Sequence, residues 1–206
     1  MPSHYHVHDT WCHQLSSVAM ARWKPDAPGR LMGAAIELFD EQGYEATTVA
    51  EIAERAELTK RTFFRYFSDK REVLFSGSQE LQNLWLGGLA TAPAEASPLA
   101  AVIAGLDPVA QMFAERHPFA QIRTRVIEAN PELQERELIK LQTLAAVIAA
   151  ALVERGVSVN AAMLAAHSGV TIFHVAFARW VQQNDPAALR RLIAESLQEL
   201  RSVTAT

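Results

Sequence analysis

Cysteine is almost missing from this chain. Cys12 stands alone among 206 residues, so no internal disulfide is available and stability has to come from packing. No run of eighteen apolar residues is free of charged or polar interruption, which argues against a membrane span. The N-terminus lacks a basic segment followed by an apolar core, so no secretion signal is expected. With the single thiol, this points to a cytoplasmic protein. Alternating strand patterns are also lacking. So are the constellations that mark catalysis: we find no nucleophile beside a base, no paired carboxylates and no phosphate loop. His117, His167 and His174 have no partnered Ser or Cys in recognisable context. No enzymatic activity, resident metal or cofactor is therefore expected. Net positive charge is lacking too, the formal value being −4.

What remains is helical and rich enough in apolar residues, at half the chain, to bury a core. Residues 1–28 carry Pro2, Pro25 and Pro28 without helical period and read as a mostly disordered extension. From Arg30 to Val203 the spacing is helical nearly throughout. Nine helices are expected, at about 30–42, 48–56, 60–66, 68–86, 98–116, 118–129, 131–155, 160–183 and 185–203. The fold class is therefore all-α. Residues 29–75 form a three-helix DNA-binding domain with a helix-turn-helix, and 76–206 form a larger helical domain.

The helix-turn-helix rests on capping and spacing. Thr48-Val-Ala-Glu51 is a capping box opening the second helix, whose buried stripe is Val49, Ile52, Ala53 and Ala56. A second start signal, Thr59, follows after only Glu57 and Leu58. The third helix buries Phe63 and Phe67 and exposes Lys60, Arg61, Phe64, Arg65 and Tyr66. Ser68 is expected to cap the fourth helix, and Gly87-Gly88 to end it.

Charge placement fits this reading. Residues 58–71 hold Lys60, Arg61, Arg65, Lys70 and Arg71 against Asp69 alone, a local surplus of cations in an acidic chain. Local placement, not the average, decides contact with phosphate. Lys60 and Arg61 on the first turn suit base edges, with guanine O6 and N7 as preferred acceptors, and Phe64 suits a thymine methyl. Thr62, Tyr66 and Lys70 offer hydroxyls and an ammonium to the backbone, and Thr48 heads a helix whose positive end suits phosphate.

The stretch TTVAEIAERAELTKRTFFRYFSDKREVLF closely resembles the DNA-binding segment of tetracycline-repressor (TetR) regulators, through Thr48, Ile52, Ala53, Thr62, Phe63, Tyr66, Phe67 and Lys70. The likeness covers about residues 28–75; beyond it only helix number and length agree. It implies a two-fold homodimer bound to a palindromic operator in double-stranded DNA, acting as a repressor released by a small-molecule effector. It places Lys60, Arg61 and Phe64 at base-reading positions and Thr48, Thr62, Tyr66 and Lys70 at phosphate-holding ones. One departure stands out: the exit from the second helix, usually glycine in the family, is Glu57. A positive φ there would cost glutamate roughly 1 kcal/mol.

In the second domain a dimer face is expected from two stripes. Ala161, Ala165, Ala166 and Gly169 make a small-residue strip, and Leu189, Leu192, Ile193, Leu197 and Leu200 an apolar one. The alternative is that both face their own core. Candidate ligand-lining residues are Trp85, Phe113, Phe119, Arg123, Phe173, His174 and Phe177, aromatics with a few polar groups among them. Trp180 and Thr171 lie nearby. Arg123 or Arg125 facing a cavity would favour an anionic amphipath such as a fatty-acyl compound. At the N-terminus His4, His6, His8, His13, Asp9 and Cys12 match no structural zinc spacing. Met20 is an alternative start, and Arg22 and Lys24 would suit a minor-groove arm. Two other readings stay open, a ligand-independent dimeric helical DNA-binding protein and a small helical enzyme.

Overall fold

A computed structural model describes residues 27–205. Every regular element among them is helical. The chain divides into two compact units, Met1–Val73 and Leu74–Thr206. The N-terminal histidines, Cys12, Arg22 and Lys24 lie outside the described residues.

The first unit contains α1 (Ala27–Gln42), α2 (Val49–Arg55) and α3 (Lys60–Tyr66), and α4 (Lys70–Leu74) begins within it. The first helix starts at Ala27, earlier than the spacing suggested, with Pro28 in its first turn. Proline needs no amide partner there, and its fixed φ already suits a helix. Leu31, Ala35, Leu38 and Phe39 of α1 are buried, as are Ile52, Ala53 and Ala56, and Phe63 and Phe67 around α3. Arg55 ties α2 to α1: its guanidinium reaches Glu41 at 2.8 and 3.0 Å and Glu37 at 3.3 Å.

In the second unit follow α5 (Ser78–Ala90), α6 (Pro98–Ala104), α7 (Leu106–Ala114), α8 (His117–Glu128), α9 (Pro131–Glu154) and α10 (Val159–Trp180). A 3₁₀ turn at Pro186–Ala188 leads into α11 (Leu189–Thr204). Among the described residues the expected count of about nine holds when two interrupted helices are each counted once. The fourth breaks between α4 and α5, and the fifth breaks at Gly105. The Gly87-Gly88 pair does not stop α5, which runs on to Ala90. Its glycine serves close approach instead: a Cβ on Gly88 would lie 2.9 Å from the Gly105 Cα, and one on Gly105 would lie 2.5 Å from the Trp85 ring.

The long helix α10 packs against α9, α11 and α6. It is apolar and long enough to cross a bilayer by composition alone, but its inner face fills the core of this unit. Ala165, Ala166 and Gly169 are buried within the single chain, and a Cβ on Gly169 would collide with the side chain of Val102. Leu189, Leu192 and Ile193 are likewise buried, with Leu197 and Leu200 packed against the same core. The stripes assigned to a dimer face thus serve this chain's own interior, because the close crossing of α6 over α10 needs the small residues. What α10 leaves outside is another stripe, with Met163 half exposed and Leu164 at 71%, alongside His167, Thr171, His174 and Ala178.

Candidate nucleic-acid interface

Two caps and one turn present α3. Both limbs of the capping box are made: the Glu51 amide donates to the Thr48 hydroxyl at 3.3 Å, and the Thr48 amide donates to the Glu51 carboxylate at 2.8 Å. The Thr48 hydroxyl also donates to that carboxylate at 2.7 Å. These bonds, from the Thr48 hydroxyl first and then its amide, hold the Glu51 carboxyl below the usual range. The single hydroxyl proton of Thr48, assigned from sequence to phosphate, is already committed to Glu51.

The turn out of α2 closes with the Leu58 amide on the Ala53 carbonyl at 2.8 Å and the Glu57 amide on the Glu54 carbonyl at 2.9 Å. This double bond pattern needs a left-handed residue between. Glu57 supplies it at φ 55°, so the side chain that replaces glycine carries the backbone strain anticipated from the sequence. Next, the Thr59 hydroxyl caps α3 by accepting from the Thr62 amide at 3.1 Å.

With α3 seated on buried Phe63 and Phe67, its other side chains face out. Lys60 and Arg61 leave the first turn into solvent, with no ion-pair partner among the described residues. Phe64 is 57% exposed and stands edge-on to Phe63. Tyr66 is exposed too, its hydroxyl accepting from Arg65 at 2.8 Å while the guanidinium lies 4.7 Å above its ring. The phenol proton remains available to an outside acceptor. Thr62 is half-buried, its hydroxyl 3.0 Å from that of Thr59.

Lys70 is placed otherwise. Its ammonium does not end in solvent: it donates to the carbonyls of Tyr44, Glu45 and Thr47 at 2.7, 3.2 and 3.1 Å. Nor does Ser68 cap α4. The Asp69 carboxylate accepts from the amides of Arg71 and Glu72 at 2.8 and 3.1 Å. Burial pushes the Asp69 carboxyl up, but the bonds from the Arg71 side chain and from the Glu72 and Arg71 amides outweigh it and leave it below its ordinary value. Sequence spacing missed Tyr44 and Thr47, both buried in the turn between α1 and α2. A buried threonine directly before a capping threonine was the available signal.

Most of the residues assigned to a ligand have partners within their own unit. Trp85 is fully buried, its indole donating to the Val102 carbonyl at 2.9 Å. Phe113, Phe173, Phe177 and Trp180 fill space with one another, at ring separations of 5.0 to 5.9 Å. Arg123 donates to the Leu74 carbonyl at 2.8 Å and pairs with both oxygens of Glu137 at 3.1 and 2.7 Å. Its charge is therefore answered inside the unit. His174 is exposed on α10 and Phe119 is half-buried. A depression of about 140 Å³ lies elsewhere, lined by Gln121, Thr124, Arg125, Val181 and Gln182.

Comparison with known proteins singles out the same region. Residues 31–76 match the family described as bacterial regulatory proteins, tetR family. The HTH-type transcriptional regulator TcmR of Streptomyces glaucescens is 44% identical over 73 residues, which is 35% of this chain and 32% of that protein. The matched stretch therefore spans about a third of that relative. Among solved structures, a TetR-family regulator of Syntrophomonas wolfei aligns with a TM-score of 0.62 at 17% identity, covering 87% of this chain and 96% of its own. The transcriptional regulator FadR of Bacillus subtilis, solved with stearoyl-CoA, aligns at 0.55 and 22% identity, covering 82% and 96%. Likeness at that identity extends the shared fold through the second unit.

Proposed function

Residues 31–76 make this chain a member of the tetR family of bacterial regulatory proteins, and from that premise we propose that it is a sequence-specific DNA-binding transcriptional repressor. Residues 29–75 read the DNA, and residues 76–206 dimerise and take up a small apolar or amphipathic effector that releases the operator. The observation that carries the reading is the first turn of α3, where Lys60 and Arg61 extend unpaired beside exposed Phe64 and Tyr66. Cations and an aromatic edge on a capped surface helix suit the major groove. A second copy is required for a palindrome, and the outward stripe of α10 around Leu164 and His167, without a charged side chain between Asn160 and Ala178, suits a second copy of itself. The protein acts in the cytoplasm, as a regulator and not as an enzyme.

The effector reading has a rival. A drug-sized ligand needs a cavity of about 300 Å³ or more, and in the cluster of Phe113, Phe173, Phe177 and Trp180 the rings stand against one another. An effector would have to part that cluster to enter it, and a dimeric DNA-binding protein that works without a ligand is the alternative. The stearoyl-CoA found in the Bacillus subtilis regulator makes acyl compounds the first probes to try. Three measurements test the proposal together. Purified protein should retain short inverted repeats from genomic fragments, with affinity falling steeply as salt rises. Sedimentation should give a dimer. An acyl ligand should raise the melting temperature and release DNA; no shift with any apolar or acyl ligand would leave the ligand-independent reading. A failure to retain any duplex at low salt would overturn both.

A further inference from the structure

Lys70 opens α4, and its ammonium has a complete set of partners. Three carbonyls, of Tyr44, Glu45 and Thr47, converge on Nζ at 2.7, 3.2 and 3.1 Å, matching its three N–H donors. The ring of Tyr44 lies 4.2 Å from the same nitrogen, adding a cation–π contact. Tyr44 itself is buried and tilted against Phe39 at 5.2 Å. The turn these residues form is fixed from its other side as well: Thr47 is 1% exposed and its hydroxyl donates to the Gly43 carbonyl at 2.8 Å, and Gly43 adopts φ +87° to let the chain leave α1.

Thr47 directly precedes Thr48, the cap of α2, and α2 carries α3 through the three-residue turn at Glu57. We infer that Lys70 is a positioning residue for DNA reading, a clamp on the turn between α1 and α2 that sets the entry of α2, and not a phosphate ligand. The inference rests on the DNA-binding reading given above. Moving the ammonium to a phosphate would leave three carbonyls without their donor; that of Glu45 is open to water, but those of Tyr44 and Thr47 are part-buried, and an acceptor left short of partners there is costly. The geometry also separates the two roles by residue type. A compact ammonium fits three converging carbonyls, whereas a planar guanidinium does not but binds phosphate well.

The test compares Lys70→Met and Lys70→Arg with the unaltered protein. The DNA is a duplex that the unaltered protein has enriched from a random pool, together with a mixed-sequence duplex, titrated over a range of salt. A clamp predicts that both variants bind both duplexes about tenfold more weakly with an unchanged salt slope. Amide exchange over residues 44–48 should be faster in both free variants. A phosphate ligand predicts that Lys70→Met lowers the slope by about 1 while Lys70→Arg retains affinity, and that result overturns the proposal. Should either variant prove unfolded at the assay temperature, the unaltered protein decides by nitrogen-detected magnetic resonance of its lysine ammonium groups. The Lys70 signal should be slow to exchange and unmoved by DNA, and a large displacement on adding duplex overturns the clamp. If the unaltered protein binds no duplex at all, the DNA reading falls and this role falls with it, whereas Arg rescue removes only the clamp.

Discussion

The two units treat their chemistry-bearing side chains in opposite ways. On α3, Lys60, Arg61, Phe64 and Tyr66 reach outward from a helix held by buried Phe63 and Phe67. In the second unit Trp85, Phe113, Phe173 and Phe177 meet one another, and Arg123 meets Glu137. A reading surface is local: one helix, one cap and 3.6-residue spacing decide which side chains face out. A pocket is the space that side chains from several distant helices fail to fill, so the same aromatics serve as lining or as core depending on partners far away in sequence.

Substitutions sharpen this contrast. Trp85→Ala should have the largest effect. A fully buried indole that also bonds to the Val102 carbonyl and packs edge-on to Phe173 should cost about 3–5 kcal/mol when removed, seen as an earlier urea midpoint. If the stability is kept and only a ligand response is lost, Trp85 lines a site after all. Arg123→Ala should cost about 2 kcal/mol, because charged hydrogen bonds to a partly buried carboxylate and to the Leu74 carbonyl go with it. The side chains of the pair are 18% and 27% exposed, which keeps the figure below that of a fully buried pair. Full stability in that variant would instead mark Arg123 as free for a ligand. Glu57→Gly works the other way and should raise stability by about 1 kcal/mol by relieving the left-handed backbone. Glu57→Ala, strained in the same way, should give no gain. A fall with glycine would mean that the exposed contact of Glu57 with Arg30, at 3.8 Å, outweighs the strain.

Much of the first unit was legible before any coordinates. The capping box at Thr48, the three-residue turn and the bounds of α3 follow from adjacent residues, and so does the strain at Glu57. Where two capping candidates sat side by side the sequence misled, since Asp69 and not Ser68 takes the amides of Arg71 and Glu72. The charge of Lys70 was legible and its destination was not, because the three carbonyls that receive it lie 23 to 26 residues earlier. The second unit fails in the same manner. Gly88 looks like a stop until Gly105 is known to lie against it, and the Ala165–Gly169 strip looks like an interface until Val102 is found there. Small residues announce that something comes close without saying what.

Function in this protein turns on sequence selection by α3. The most direct trial is enrichment of binding sites from a randomised duplex pool, run in parallel with the unaltered protein and with Lys60→Ala and Arg61→Ala. Base reading by α3 should give one inverted repeat for the unaltered chain, and a repeat of the same spacing for each variant, with preference lost at particular guanine positions worth about 1–3 kcal/mol each. Identical preferred sites for all three proteins, with affinity reduced evenly on every sequence, would contradict it.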